Sequence, residues 1–117
     1  MSDEHPIRLL LSGELSFGPG KAELLEKIRT LGSVQAAAAE MGMSYMKAWK
    51  IVKGLNERFQ EPLVSLSRGG KAQGGAVITP AGNKVLGIYH DAVKAAEKAT
   101  AAHLLEFRSL LLDETRQ

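Results

Sequence analysis

The sequence lacks cysteine, which excludes disulfide bonds, thiolate metal sites and a cysteine nucleophile. Aromatic residues are few, with three Phe, two Tyr and one Trp, and this disfavours an interface built on stacked RNA bases. There is also no run of the ~20 apolar residues that a membrane-spanning helix requires. The first residues, Met1–Pro6, are polar and acidic, unlike a signal peptide. We therefore expect a soluble, cytoplasmic protein with no membrane partner.

The apolar and charged residues that are present are typical of a globular chain. Apolar residues make up 44% of the 117 residues and charged residues 24%, which is enough for the core of one domain. The length is short for two domains. We therefore predict a single domain over 1–117.

Positive charge is concentrated in the middle of the chain, although the formal net charge is only +2. Residues 41–71 carry six basic and two acidic side chains, whereas residues 1–40 carry four basic and six acidic ones. A localised basic segment is expected of an anion-binding face. Charge alone favours a solvated helix face, so the interpretation depends on the elements that carry these residues.

The spacing of apolar residues, glycine and proline predicts mostly α structure with a small amount of β. In chain order, the predicted elements are N-terminal strand(s) over 7–17, a three-helix core over 21–59, a two-stranded wing over 62–78 and a long helix over 80–112. Gly32 suits a helix C-terminus because glycine tolerates positive φ, whereas Ser33, Ser44 and Thr79 suit N-caps. Pro80 then occupies a first helical position. This order predicts a winged helix-turn-helix fold.

Segment 32–56 has the form of a helix-turn-helix, because a tight turn with glycine joins two helices and alanines let them pack closely. One side of the third helix is predicted to be core and comprises Tyr45, Ala48, Trp49, Val52, Leu55 and Phe59. The opposite side holds Ser44, Met46, Lys47, Lys50, Ile51 and Gly54. This second side suits a recognition helix, since Ser44 and Lys47 in the first turn can reach bases or phosphates.

The last helix is long and has no internal stop. Its apolar stripe steps by three or four residues and comprises Val85, Tyr89, Ala92, Ala96, Ala99, His103, Phe107 and Leu110. A helix of this length with such a stripe is typical of packing against a partner chain. We therefore predict a homodimer joined by this helix, with a contribution from the N-terminal strands.

The glycine-dense loop over 68–76 has two interpretations. It is not a phosphate-binding Walker loop, because the glycine spacing is wrong and Ala72 follows the lysine. It is either a surface hairpin without a ligand or a wing that lies along DNA, with Arg68 and Lys71 on phosphates or in a minor groove. The neighbouring helix-turn-helix favours the wing.

Several motifs now resemble one family in content and order. They are Phe17-Gly18-Pro19-Gly20, Gly32-Ser33, Gly42-Met43-Ser44-Tyr45, Ala48-Trp49, Asn56, Glu61-Pro62-Leu63-Val64, Gly69-Gly70 with Gly74-Gly75, and Thr79-Pro80-Ala81-Gly82. Over roughly residues 7–90 the chain resembles the ModE-type, molybdate-responsive transcriptional regulators. The strand, wing and helix at its end are also similar to the DNA-binding domain of LysR-type regulators.

The resemblance implies a regulator that binds an inverted repeat of double-stranded DNA as a dimer. It implies that Ser44, Tyr45, Met46 and Lys47 form the DNA-facing turn of the recognition helix. Tyr45 is also predicted to be core. A tyrosine at the edge of the helix can satisfy both predictions, because its ring can lie in the core while its hydroxyl lies near a phosphate. The complete predicted DNA-binding set is Ser33, Ser44, Tyr45, Met46, Lys47, Lys50, Arg68 and Lys71.

The sequence departs from the family pattern after the long helix. Full-length ModE-type proteins carry further β-barrel domains that bind molybdate, and nothing in this sequence resembles an oxyanion-binding barrel. This argues against molybdate as a directly bound effector. We predict no cofactor and no metal within this chain.

Three alternatives compete with DNA binding. An enzyme is disfavoured because His5, His90 and His103 lie in no nucleophile or metal motif, and Asp113-Glu114 is expected to be a solvated tail. RNA binding is disfavoured by the shortage of aromatics. A winged-helix module that binds only proteins is the strongest rival, because fold does not settle function. An apolar patch around Met46 and Ile51 would favour it.

Overall fold

The computed structural model describes residues 7–67 and 75–112. The helices are α1 (Pro19–Leu31), α2 (Val34–Met41), α3 (Tyr45–Arg58) and α4 (Pro80–Ser109). The strands are β1 (Leu9–Ser12), β2 (Leu15–Phe17), β3 (Val64–Ser67) and β4 (Gly75–Ile78). The predicted fold class, mostly α with small β in winged helix-turn-helix order, is confirmed. The first helix begins two residues earlier than predicted, with Pro19 in its first turn.

The helical core forms because each helix has one apolar face. The buried side chains of α1 are Ala22, Leu24, Leu25 and Ile28. Helix α2 contributes the small residues Ala37 and Ala38, which let α1 and α3 approach closely. Helix α3 contributes Ala48, Val52 and Leu55. Burial of these apolar groups is the main stabilising term of the fold.

Glycine C-caps end α1 and α2, and serine N-caps begin α2 and α3, at the positions that the sequence predicts. Gly32 and Gly42 have φ of 74° and 70° and form the C-caps of α1 and α2. The Oγ of Ser33 accepts the N–H of Ala36 at 3.0 Å, and the Oγ of Ser44 accepts the N–H of Lys47 at 3.0 Å. The turn between α2 and α3 is therefore fixed by a glycine on one side and a serine cap on the other.

Strands β3 and β4 form an antiparallel pair in which Val64 is opposite Ile78 and Ser67 is opposite Gly75. The base of this pair is attached to the helices. The N–H of Ala76 donates to the carbonyl of Gly32 at 3.0 Å, so β4 is hydrogen-bonded to the junction of α1 and α2. The wing base is therefore attached directly to the helix-turn-helix.

The N-terminal hairpin pairs β1 with β2 in antiparallel register. It is held against α4 by Tyr89, whose ring meets that of Phe17 edge-on at 5.2 Å between centroids. The Tyr89 hydroxyl donates to the carbonyl of Ile7 at 2.7 Å. Burial raises the pKa of this hydroxyl, which favours the neutral form that donates the hydrogen bond.

Helix α4 has two different halves. Its first half packs on the core through Gly82, Leu86 and Tyr89. Its second half projects away, and the molecule is elongated, with extents of 59 × 34 × 23 Å. The helix ends at Ser109, three residues before the predicted end. Phe107 in its last turns and Leu110 at its C-cap are 67% and 81% exposed. The predicted apolar stripe thus continues into solvent, since the first half alone has a partner within the chain.

Two predictions about α3 are wrong. Tyr45 is not core, because it is 48% exposed, and Trp49 is only half-buried. Ile51 was placed on the outer side, yet it is half-buried and packs against the core. The physical reason is that Ile51 lies on the side of α3 that lines the groove with Leu15 of the hairpin, whereas Tyr45 lies on another side of the helix. Phe59 is half-buried and packs against the core.

Candidate nucleic-acid interface

Helix α3 presents its N-terminal turn to solvent. Ser44, Tyr45, Met46 and Lys47 are all exposed. Ser44 satisfies the N–H of Lys47, while the earlier N–H groups of the turn have no carbonyl four residues behind them within the helix. Such an end attracts anions through these groups and through the helix dipole.

The surface of α3 divides into three stripes, because residues three or four apart lie on one side of a helix. The side facing the wing holds Tyr45, Trp49 and Asn56. The side facing the hairpin holds Lys47, Ile51 and Arg58. The outermost stripe, opposite the buried residues, holds Met46, Lys50, Lys53 and Glu57. We call this outermost stripe the outer face of α3.

A groove of about 740 Å³ lies between α3, the hairpin and the start of α1. Its charged lining residues are Lys21, Lys47, Lys50, Arg58, Glu14 and Glu57. Basic groups outnumber acidic ones there, so the hairpin side of α3 is electropositive as well as concave. This is the side on which Lys47 meets solvent.

Some of these charges already have partners. Lys53 is 2.7 Å from the carboxylate of Glu57 and lies over the ring of Trp49, 5.9 Å from its centroid. Lys21 donates to the carbonyl of Ser16 at 2.6 Å. Lys47 and Lys50 form no ion pair with any residue in the described ranges. Lys47 and Lys50, in the first two turns of α3, therefore have no acidic partner among the described residues, whereas Lys53 is paired with Glu57. Arg58 in the last turn donates to the carbonyl of Ser12 at 3.5 Å.

Asn56 connects α3 to the wing, and sequence reasoning assigned it no role beyond a family motif. Its Oδ1 accepts the N–H groups of Leu63 and Val64 at 2.8 and 3.1 Å. Its Nδ2 donates to the carbonyl of Val64 at 2.9 Å. One side chain thus fixes the distance between the recognition helix and the base of β3. The sequence signal was an asparagine in the last helical turn just before a predicted strand.

The structure brings most of the predicted site residues together. Ser44, Tyr45, Met46, Lys47 and Lys50 all lie on the exposed surface of α3. Ser33 is half-buried at the start of α2, and its oxygen is engaged by the N–H of Ala36. The two predicted wing residues, Arg68 and Lys71, lie outside the described residues.

Two of the histidines considered in the sequence, His90 and His103, lie on α4, away from this surface. The Nε2 of His90 pairs with the carboxylate of Glu26, which joins α4 to α1. His103 is exposed on the distal half of α4, while His5 and Asp113-Glu114 lie outside the described residues. Within the described parts of the chain, no three His, Cys, Asp or Glu side chains cluster as metal ligands. Nor does any helix there combine the length and apolar character needed to cross a membrane.

A tri-helical core, a capped and basic third helix and a two-stranded wing define a helix-turn-helix protein of the DNA-binding class. The comparison with protein families agrees. Residues 20–83 match the model of the bacterial regulatory helix-turn-helix proteins of the lysR family. Because the match spans more than half of the chain, the chain belongs to this family.

Curated relatives extend the likeness beyond the helix-turn-helix. The molybdenum-pterin-binding protein MopB of Rhodobacter capsulatus is 43% identical over 98 residues, or 83% of this chain and 35% of MopB. MopA of the same organism is 36% identical, covering 83% of this chain and 43% of MopA. The DNA-binding transcriptional dual regulator ModE of Escherichia coli K12 is 32% identical, covering 85% and 38%. The resemblance to ModE-type regulators is confirmed, and this chain spans less than half the length of these relatives.

Proposed function

We propose that this chain is the DNA-binding part of a dimeric transcriptional regulator connected with molybdenum. The observation that carries the proposal is the exposed first turns of α3, where Lys47 and Lys50 face solvent without an acidic partner among the described residues. That surface belongs to the helix that enters the major groove in helix-turn-helix proteins. The names of MopB and ModE support the link to molybdenum and to transcription.

In this proposal α3 lies in the major groove with its N-terminal turn nearest the bases. Lys47, on the hairpin side, and Lys50, on the outer face, contact phosphates or guanine edges. Ser44 and the N–H groups of the first turn bind one phosphate. The hydroxyl of Ser33, at the start of α2, donates a hydrogen bond to a second phosphate. The predicted wing residues Arg68 and Lys71 add phosphate contacts on the flank.

The proposed dimer forms through the distal half of α4. Phe107 and Leu110 continue the apolar stripe of α4 and are 67% and 81% exposed, and burying such side chains against a second copy is favourable. A two-fold pair of recognition helices separated by about 34 Å would match an inverted repeat. The protein-interaction alternative gains no support, since the matched relatives are named as regulators or molybdenum-pterin-binding proteins.

The DNA proposal is tested by titrating the chain against a pool of random duplexes and against duplexes selected from that pool. Measurements at about 50 and about 200 mM salt give the number of phosphates that are neutralised. Lys47→Ala should weaken binding, reduce the salt slope by about one and relax sequence choice. Lys94→Ala, an exposed lysine on α4, is the matched control. Wild-type binding by Lys47→Ala, or no binding of any duplex by the parent chain, contradicts the proposal.

The dimer is tested separately by sedimentation equilibrium. Phe107→Lys should shift the chain from dimer to monomer, because it places a charge in the proposed apolar contact. Val77→Lys, at an exposed apolar position on the wing, is the control and should remain dimeric. A Phe107→Lys variant that sediments as the parent does would exclude the distal half of α4 as the contact.

A further inference from the structure

The outer face of α3 carries one apolar side chain, Met46, which also lines the edge of the groove between α3 and the hairpin. Met46 is 58% exposed in the first turn of the helix. Two other methionines nearby, Met41 and Met43, are half-buried and pack against the core. Met46 lies outside that described set of core contacts, and its neighbours on the surface are Lys47 and Lys50.

The position of Met46 restricts what can cover it when DNA is bound. In helix-turn-helix proteins the N-terminal residues of the recognition helix meet the base edges, whereas later turns and flanking elements meet the backbone. Because Met46 is the first residue of the outer face, that docking geometry would place it nearest the base edges. A thioether cannot donate to phosphates or bases, and as an acceptor it is weak.

The major groove offers one apolar group among the four unmodified bases, which is the C5-methyl group of thymine. A methionine side chain is unbranched and polarisable, so it adapts its shape to an apolar surface. Contact between the two removes both from water, and the methyl group is the only feature that distinguishes thymine from uracil.

Resting on the proposed DNA binding, we propose that Met46 is a specificity-determining residue that selects thymine by contact with its C5-methyl group. The flanking Lys47 and Lys50 supply attraction to phosphates or guanine, which is common to many sequences. Met46 then makes the difference between a thymine and a cytosine or uracil at the base that it covers.

The experiment uses the whole chain and a duplex recovered by selection from a random pool. Each thymine of one half-site is replaced in turn by deoxyuridine, which removes the methyl group and leaves base pairing unchanged. We expect one position, or two adjacent ones, at which the parent chain loses about fourfold in affinity, the value of one buried methyl group. Replacement of thymines outside the protected region is the internal control.

The same duplexes are then titrated with Met46→Ala. We expect this variant to bind the thymine duplex about tenfold more weakly and to lose its sensitivity to deoxyuridine at the same position, so that the two changes are non-additive. Its melting temperature should stay within about 2 °C of the parent because the side chain is exposed.

The outcomes separate the two proposals. If the parent chain binds no selected duplex, the proposed DNA binding fails and the role of Met46 fails with it. If the parent chain binds specifically but no deoxyuridine replacement matters, or if Met46→Ala retains the full sensitivity, DNA binding stands and the role of Met46 is refuted.

Discussion

Replacing Asn56 by alanine tests whether one side chain holds the recognition helix to the wing. Asn56→Ala removes three hydrogen bonds to the backbone of Leu63 and Val64. Both of these residues are almost fully buried, so their backbone groups lose a partner where water has poor access. A hydrogen bond contributes about 1 kcal/mol net, and an unsatisfied buried group costs about 1–3 kcal/mol. We expect the free energy of unfolding to fall by about 2–4 kcal/mol.

The assay is urea unfolding followed by circular dichroism, with the midpoint and slope fitted for each variant. Asn83→Ala is a matched control, because Asn83 is exposed and accepts a single hydrogen bond, from Arg29 at 2.9 Å. That change should cost less than about 0.5 kcal/mol. If Asn56→Ala were no more destabilising than Asn83→Ala, the attachment of the wing through Asn56 would be refuted.

The same variant links stability to function. At temperatures well below its unfolding transition, Asn56→Ala should still bind DNA more weakly than the parent chain, because the recognition helix and the wing base no longer have a fixed separation. Binding that is unchanged once the unfolded fraction is subtracted would show that the wing base contributes nothing to recognition.

The remaining predictions concern single side chains and use the same unfolding assay. Gly82→Ala should lower the free energy of unfolding by about 2–3 kcal/mol, because a Cβ there would overlap the carbonyl of Leu63. Gly87→Ala, where a Cβ would meet nothing within 4 Å, should raise it by about 0.5–1 kcal/mol. The opposite order of the two variants would contradict the packing. Trp49→Ala should cost about 1–2 kcal/mol rather than the 3–5 kcal/mol of a core ring, since the ring is half-buried, and a larger loss would show that it is core. The folded chain holds the Tyr89 proton more tightly than the unfolded chain, because burial raises its pKa above the ordinary 10.0; stability should therefore fall as the pH rises past about 10. Tyr89→Phe should lose less than the parent between about pH 8 and about pH 11, and an equal loss would exclude this group.

The sequence was most informative where local chemistry decides the structure. The caps at Ser33, Ser44 and Thr79 and the C-terminal Gly32 were predicted correctly, because a side-chain oxygen or a positive φ is a property of a few neighbouring residues. The alternation of strands and helices followed from the periodicity of apolar residues. These features fixed the winged helix-turn-helix order before any tertiary contact was known.

Which side of α3 is covered depends on tertiary packing and could not be predicted from the sequence. The apolar residues of α3 cover more than one side of the helix, so periodicity alone could not tell whether Tyr45 or Ile51 would be covered. In the structure Ile51 is half-buried and packs against the core, whereas Tyr45 is exposed. The partners of Asn56 were equally hidden, because they belong to a strand whose distance from α3 depends on the whole fold.

The candidate site was predicted in outline. Lys47 and Lys50 were expected on an exposed basic surface, and the structure places them there. Which lysines of α3 keep their charge unpaired depends on the pairing of Lys53 with Glu57. Spacing four residues apart permits such a pair but does not show that it forms.

The attachment of the wing base has a consequence for how such a protein can diversify. Three contacts hold the base of strands β3 and β4. Asn56 donates to the carbonyl of Val64, and the carbonyl of Gly32 accepts the N–H of Ala76. The N–H of Thr79 donates to the carbonyl of Leu63 at 3.0 Å. All of these anchors lie outside the segment 68–74 that joins the two strands. Substitutions and changes of length in that segment should therefore leave the register of β3 and β4 unchanged, whereas loss of Arg68 or Lys71 would remove proposed phosphate contacts. The loop of a related regulator should therefore be able to replace segment 68–74 without loss of the fold.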